Sequence, residues 1–201
     1  MDLWQYEREA LAEGRTLVCG CDEAGAGPLA GPVYAAAVIL PTGIDIPGLN
    51  DSKKLTEKKR EALFPVIQEL ASAWSVAFVD AAEIDATDIL SARMKAMQLA
   101  IRGLDRRPDF ALIDGNRDRG RTAAVLPPHR CVVKGDSLSA SIAAASILAK
   151  VSRDRFMLEI ARKYPEYRFE QHKGYGTKLH YEMLRTYGPS PIHRRTFLKN
   201  L

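Results

Sequence analysis

No apolar run in this 201-residue chain approaches the ~20 residues that a helix needs to cross a bilayer. The opening segment MDLWQYEREALAEGR is acidic and amphipathic, without the basic start and apolar centre of a signal peptide. A cytoplasmic location with no membrane partner is therefore expected. Cysteine is scarce: Cys19, Cys21 and Cys131 cannot all pair with one another and match neither a zinc knuckle nor a C-x-x-C redox site. They read as small apolar residues on strands. The four histidines show no metal-ligand spacing, and only His172 lies near a candidate site, either as a proton shuttle or as a loop residue. No repeat, low-complexity tract or Gly/Ser/Pro-rich linker divides the chain, so one domain over residues 1–201, acting as a monomer, is expected. Nucleotide-binding signatures are missing as well. There is no G-x-x-x-x-G-K-[ST], and in GAGPLAG (25–31) the third glycine falls one residue late, ahead of a strand-like segment where a dinucleotide fingerprint requires a helix.

What the chain does contain is a net charge of +4, unevenly spread. His193, Arg194, Arg195 and Lys199 crowd the last fifteen residues, while most carboxylates sit earlier, which suits a phosphate backbone held near a metal. The runs TLVCGC (16–21), PVYAAAVIL (32–40) and AWSVAFVD (73–80) predict three strands with an antiparallel start. LTEKKREALFPVIQELA predicts a helix capped by Thr56 and kinked or restarted at Pro65. Leu90, Met94, Met97, Ile101 and Leu104 mark the buried stripe of another helix that ends near Gly103. FALID (110–114) and RCVVKGD (130–136) read as strands, 137–164 as a serine-capped helix of small residues packed centrally, and 177–187 as a last helix. Together these predict an α/β fold with a mixed sheet and flanking helices.

Asp22, Asp114 and Asp136 each follow a β-like apolar run, and Glu23 reinforces the first. Strand ends share one sheet edge, so these acids can converge although they are far apart in sequence. Converging carboxylates repel, and clustered oxygen ligands select hard cations such as Mg²⁺ or Mn²⁺. Two such ions suit phosphodiester cleavage. The competing reading of each Asp-Gly stretch is an ordinary turn. The glycine turn leaves backbone N–H groups bare for a sugar or phosphate. NDSKKLTEKKR (50–60) is either solvated surface or a phosphate contact, and Tyr175, between two glycines with Lys173 and Lys178 nearby, is either an exposed loop aromatic or a stacking platform.

The segments DEAGAGPLAGPV, LNDSKKL, LIDGN, VVKGDSLSASIAAASILAKVSRD, HKGYGT and GPSPIHRRTF, in order from residue 22 to 197, resemble ribonuclease HII, the bacterial type 2 RNase H. The resemblance implies an RNase H-like fold with a C-terminal helical substrate-binding extension over about residues 165–201. It implies that Asp22, Glu23, Asp114 and Asp136 bind two divalent ions, Mg²⁺ or Mn²⁺, and are catalytic. It further implies hydrolysis of RNA paired with DNA and incision at single ribonucleotides embedded in duplex DNA, leaving a 3′-hydroxyl and a 5′-phosphate. Gly25, Ala26 and Gly27 would form the turn that reads the ribose 2′-hydroxyl, Lys53 would hold a phosphate, and Tyr175 would stack on the neighbouring deoxyribose. Ala26 departs from the family pattern, Gly-Arg-Gly, and removes a phosphate-contacting arginine. A non-catalytic or weakened RNA–DNA hybrid-binding module is the alternative that this departure raises.

Overall fold

Pairing between β1 (Val18–Ala24) and β4 (Phe110–Asp114) is the feature that places the acids. The two strands run parallel, with Cys21 beside Ile113, so Asp22 and Asp114 follow at the same level on adjacent strands. The Asp109 carboxylate pins this register from the other end, accepting the Thr16 and Leu17 backbone N–H groups at 2.8 and 3.0 Å and the Thr16 hydroxyl at 2.6 Å. These observations come from a computed structural model that describes residues 2–115 and 127–199.

Among the described residues the sheet has five strands, in the order Ala73–Val79 (β3), Val33–Ile39 (β2), β1, β4 and His129–Val132 (β5). Strands β1, β2 and β3 form the expected antiparallel start, and β5 runs parallel to β4. Every residue of β2 is buried, because helices cover both faces. On one face α4 (Ile89–Arg102) lays Ala96, Met97, Ala100 and Ile101 against Cys19, Cys21 and Val33. The methionine stripe is core packing, and truncating fully buried Met97 to Ala should cost about 2–5 kcal/mol.

The other face carries α5 (Ala140–Lys163), with α2 (Glu57–Leu70) packed on it through Leu63, Phe64 and Ile67. Small residues explain the close approach of α5. A Cβ on Gly20 would lie only 2.2 Å from the Ser141 carbonyl carbon, so the strand needs glycine there. The helix cap is Ser139, which accepts the Ile142 N–H at 3.2 Å, rather than Ser137. Glu7 of α1 (Gln5–Ala12) accepts from Ser139 Oγ and Ser141 N, placing a carboxylate at the positive end of this 24-residue helix.

Two further expectations need correction. Pro65 does not restart the helix: α2 runs unbroken from Glu57 to Leu70, with Pro65 on its exposed side, where the carbonyl it leaves unbonded can face water. The run at 130–136 is not strand throughout. It leaves β5 at Val132, turns through Lys134 at φ 56°, and places Asp136 in a 3-10 turn, Gly135–Ser137. Beyond α5, α6 (Phe169–His172) and α7 (Lys178–Tyr187) form a helical C-terminal part, its core built from Met157, Tyr167, Phe169 and Leu184 with Leu29 and Ala30 of the glycine turn. Helix α3 (Ala81–Ala86) links β3 to α4.

Candidate active site

One carboxylate oxygen each from Asp22, Asp114 and Asp136 lies within 4.8 Å of the other two. Asp22 comes from central β1, Asp114 from neighbouring β4, and Asp136 from the turn that follows β5. The left-handed residue Lys134 folds that turn back, and Asp114 Oδ1 locks it by accepting the Gly135 N–H at 2.7 Å. A non-glycine residue in this region costs about 1–2 kcal/mol, and such strain is commonly stored where a site must be shaped.

The three acids disturb one another. Burial and the charges of Glu23 and Asp114 push Asp22 well above the ordinary carboxylate range. Burial and Glu23 raise Asp114, and burial with Asp114 and Asp51 raises Asp136. Lys53 answers in part, its Nζ 3.3 Å from Asp136 Oδ2, although most of its side chain is in solvent. Burial works against its charge, but Asp22 and Asp136 outweigh that effect and hold the ammonium above its usual pKa. A single exposed lysine does not balance three gathered carboxylates, and this donor set fits a hard divalent cation.

Glu23 is placed differently from its neighbour. Its Oε1 lies 2.6 Å from Arg93 Nη2 on α4, while its Oε2 is buried without a hydrogen-bond partner. An orphaned, buried carboxylate oxygen beside an acid cluster is a second observation that fits a cation.

The glycine turn rests on two arginines that no sequence motif marks as structural. Arg194 is fully buried, not a solvent-facing member of a basic tail. Its guanidinium donates to the carbonyls of Gly25 (2.6 Å), Ala26 (2.9 Å) and Gly31 (2.9 Å). Arg153 of α5, equally buried, donates to Pro32, Ala30 and Lys173 carbonyls at 3.0–3.1 Å. Burial lowers the pKa of both side chains, and six carbonyl dipoles take the place of a carboxylate partner. For Arg153 the one sequence signal was an arginine on the buried, small-residue helix α5.

Gly25 has φ +94°, and a Cβ on it would stand 2.0 Å from Arg153 Nε. Gly27 is exposed and a Cβ there would meet nothing within 4 Å; Ala26 lies between them, half-buried. Tyr175 is 42% exposed, with Lys150 Nζ 5.8 Å and Arg153 Cζ 5.7 Å from its ring centre. Lys150, which no sequence motif marked, is thus close to that ring while bonded to Asp154 at 2.6 Å. His172 is buried; its Nδ1 accepts the Gly174 N–H and its Nε2 bonds the Tyr167 carbonyl, which makes it a loop tie and not a proton shuttle. Residues 50–60 are partly anchored: Asp51 caps a 3-10 turn, and Arg60 donates to the Ser52 and Leu55 carbonyls.

Acids at the ends of adjacent strands of a mixed sheet, beside a bare backbone turn and an exposed aromatic, define the class: a hydrolase with an RNase H-like fold. The family model for ribonuclease HII matches residues 19–200. A ribonuclease HII from Caldicellulosiruptor bescii is 52% identical over 202 residues, covering 98% of this chain and 94% of that protein. The crystal structure of ribonuclease H2 from Pyrococcus horikoshii OT3 superposes with a TM-score of 0.75 at 29% identity, over 90% of this chain and 93% of that one. Bst-RNase HIII, solved in complex with Mn²⁺, shares the fold at 22% identity and TM-score 0.69, over 86% of this chain and 63% of that one. The chain belongs to the ribonuclease HII family, and so to the nucleases that use divalent metal.

Proposed function

We propose that this enzyme cuts the RNA strand of RNA–DNA duplexes and incises on the 5′ side of single ribonucleotides embedded in duplex DNA. Family membership supports the first activity, and the observation that carries the finer reading is the adjacency of the Asp22–Asp114–Asp136 cluster to the glycine turn. Asp22, Asp114 and Asp136, with Glu23 beside them, would hold Mg²⁺ or Mn²⁺, two ions being expected during turnover. Bound there, the metal supplies Lewis-acid charge stabilisation and a more acidic water.

The chain's own groups do the rest. With the Gly25 and Ala26 carbonyls held by Arg194, the backbone N–H groups of Gly25, Ala26 and Gly27 read the 2′-hydroxyl, the one group that distinguishes RNA from DNA at the cut. Lys53 holds a phosphate beside the acids, and Tyr175 offers its exposed face to the neighbouring deoxyribose. Water attacks phosphorus and the upstream 3′-oxygen leaves, giving a 3′-hydroxyl and a 5′-phosphate. A monomer that contains all of these groups within residues 22–175 needs no second chain to complete the site.

The test is a DNA duplex carrying one ribonucleotide, incubated with Mg²⁺ or Mn²⁺ beside an all-DNA control. One cut 5′ to the ribonucleotide, with the control intact, is the expected result. Binding without cleavage would overturn the enzymatic reading in favour of a hybrid-binding module.

A further inference from the structure

Three of the four histidines, His172, His180 and His193, are buried together in the C-terminal part, and the chemistry proposed above uses none of them. His172 and His180 stack with ring centres 4.3 Å apart, and His180 Nε2 lies 3.0 Å from His193 Nε2.

The groups at the two ends of this chain fix where its protons are. The Ser190 backbone N–H can only donate, so His193 Nδ1, 2.9 Å away, is an acceptor and carries no proton. A neutral His193 then bears its proton on Nε2 and donates it to His180 Nε2. His180 must in turn be protonated on Nδ1, which donates to the Tyr175 carbonyl at 2.9 Å, beside the Thr177 N–H that also reaches that oxygen. Burial pulls both rings down to about 4, so they are neutral near pH 7 and the chain has one direction.

The next residue after His193 reaches the other recognition element. Arg194 holds the Gly25, Ala26 and Gly31 carbonyls, and its own N–H donates to Leu29 O at 2.9 Å. Leu29 N–H in turn bonds Gly174 O at 2.8 Å, and Ala30 bridges to His193.

We propose that His193 and Arg194 act as a two-armed spacer that sets Tyr175 against the glycine turn, with His180 as the link to the tyrosine. His180 and His193 are thereby positioning residues for recognition of the ribonucleotide–deoxyribonucleotide junction. This rests on the assignment of Tyr175 and the glycine turn to substrate binding.

Nitrogen-15 correlation spectra of the histidine rings in the full chain test the hydrogen-bond chain without any substitution. A proton on Nδ1 of His180 and on Nε2 of His193 is expected; an Nε2-protonated His180, or an imidazolium at neutral pH, overturns the proposal. Kinetics on the single-ribonucleotide duplex test its purpose. Tyr175→Ala should raise KM about tenfold, the size of one stacking contact, and His180→Leu should raise KM more than it lowers kcat. The double variant should be no worse than Tyr175→Ala alone, whereas additive effects overturn the spacer. An unchanged KM in Tyr175→Ala would instead remove the stacking assignment itself. Where His180→Leu fails to fold, His180→Asn, which can keep a donor near the Nδ1 position, is compared with His180→Gln, which cannot. Equal losses in the two overturn the proposal, and rescue by Asn alone supports it.

Discussion

Asp22 and Glu23 are adjacent in sequence and diverge in space: Asp22 joins Asp114 and Asp136, while Glu23 pairs with Arg93 on α4 at 2.6 Å. Successive residues of a strand point to opposite faces, and β1 has helices on both. Glu23 nonetheless remains near enough for its charge to raise both Asp22 and Asp114. Arg93 thus restrains a fourth negative charge at the edge of a cluster that already repels itself.

That repulsion makes the cluster costly to stability and necessary for activity. Asp22→Asn should raise metal-free stability by about 1 kcal/mol, or about 2–4 °C in Tm for a chain of this size, and abolish cleavage while leaving nucleic-acid binding. Mn²⁺ at a hundred times its Kd should add about 2.7 kcal/mol to the wild type and much less to this variant. Full cleavage by Asp22→Asn, or equal stabilisation of both proteins by Mn²⁺, would remove Asp22 from the metal site.

The two outer glycines of the turn should separate structure from recognition. Gly25→Ala meets Arg153 and a left-handed φ, and should lose about 1–3 kcal/mol in urea unfolding. Gly27→Ala meets nothing in the protein, so its stability should stay within about 0.5 kcal/mol while binding to the ribonucleotide duplex weakens. A Gly27→Ala enzyme with normal KM would show that close backbone approach at this position is not needed.

Ala26→Arg restores the charge that the family turn usually carries. It should tighten substrate binding by at most about 1.5–3 kcal/mol, with unchanged preference for the ribonucleotide. If the new guanidinium contacts one phosphate, the slope of log K against log salt steepens by about 0.9. Unchanged affinity and slope would show the arginine to be dispensable in this protein.

Acid should weaken the fold through the buried histidines. His180 and His193 titrate near 4 when folded and near 6.5 when unfolded, so between those values the unfolded chain binds more protons and stability falls as pH falls. The limiting slope is about 1.4 kcal/mol per pH unit for each ring. The acid cluster acts in the opposite sense, since carboxyls raised in the folded state favour folding as they become protonated. The histidine contribution is therefore read as the difference between wild type and a His180→Asn/His193→Asn variant in urea unfolding at pH 7 and pH 4.5. A pH-independent difference would contradict the burial of neutral rings.

Local pattern was enough for much of this protein. Apolar runs marked the strands, the Thr56 cap marked a helix start by accepting the Lys59 N–H, and the methionine stripe marked the buried side of α4. The acids were legible because three of them stood after strand-like runs, and the resemblance of six ordered segments supplied their partners. These features depend on neighbours within a few residues, where periodicity and capping act.

Tertiary structure alone decided the rest. Only the parallel register of β1 and β4 puts Asp22 level with Asp114, and only the covering of both sheet faces turns Glu23 toward Arg93. Arg194 and His172 looked like a solvent-facing cation and a possible proton carrier, yet both are buried and bonded to backbone. Their charges and donors are properties of the sequence, whereas the desolvation and the carbonyls that give them their roles come from segments up to 169 residues away.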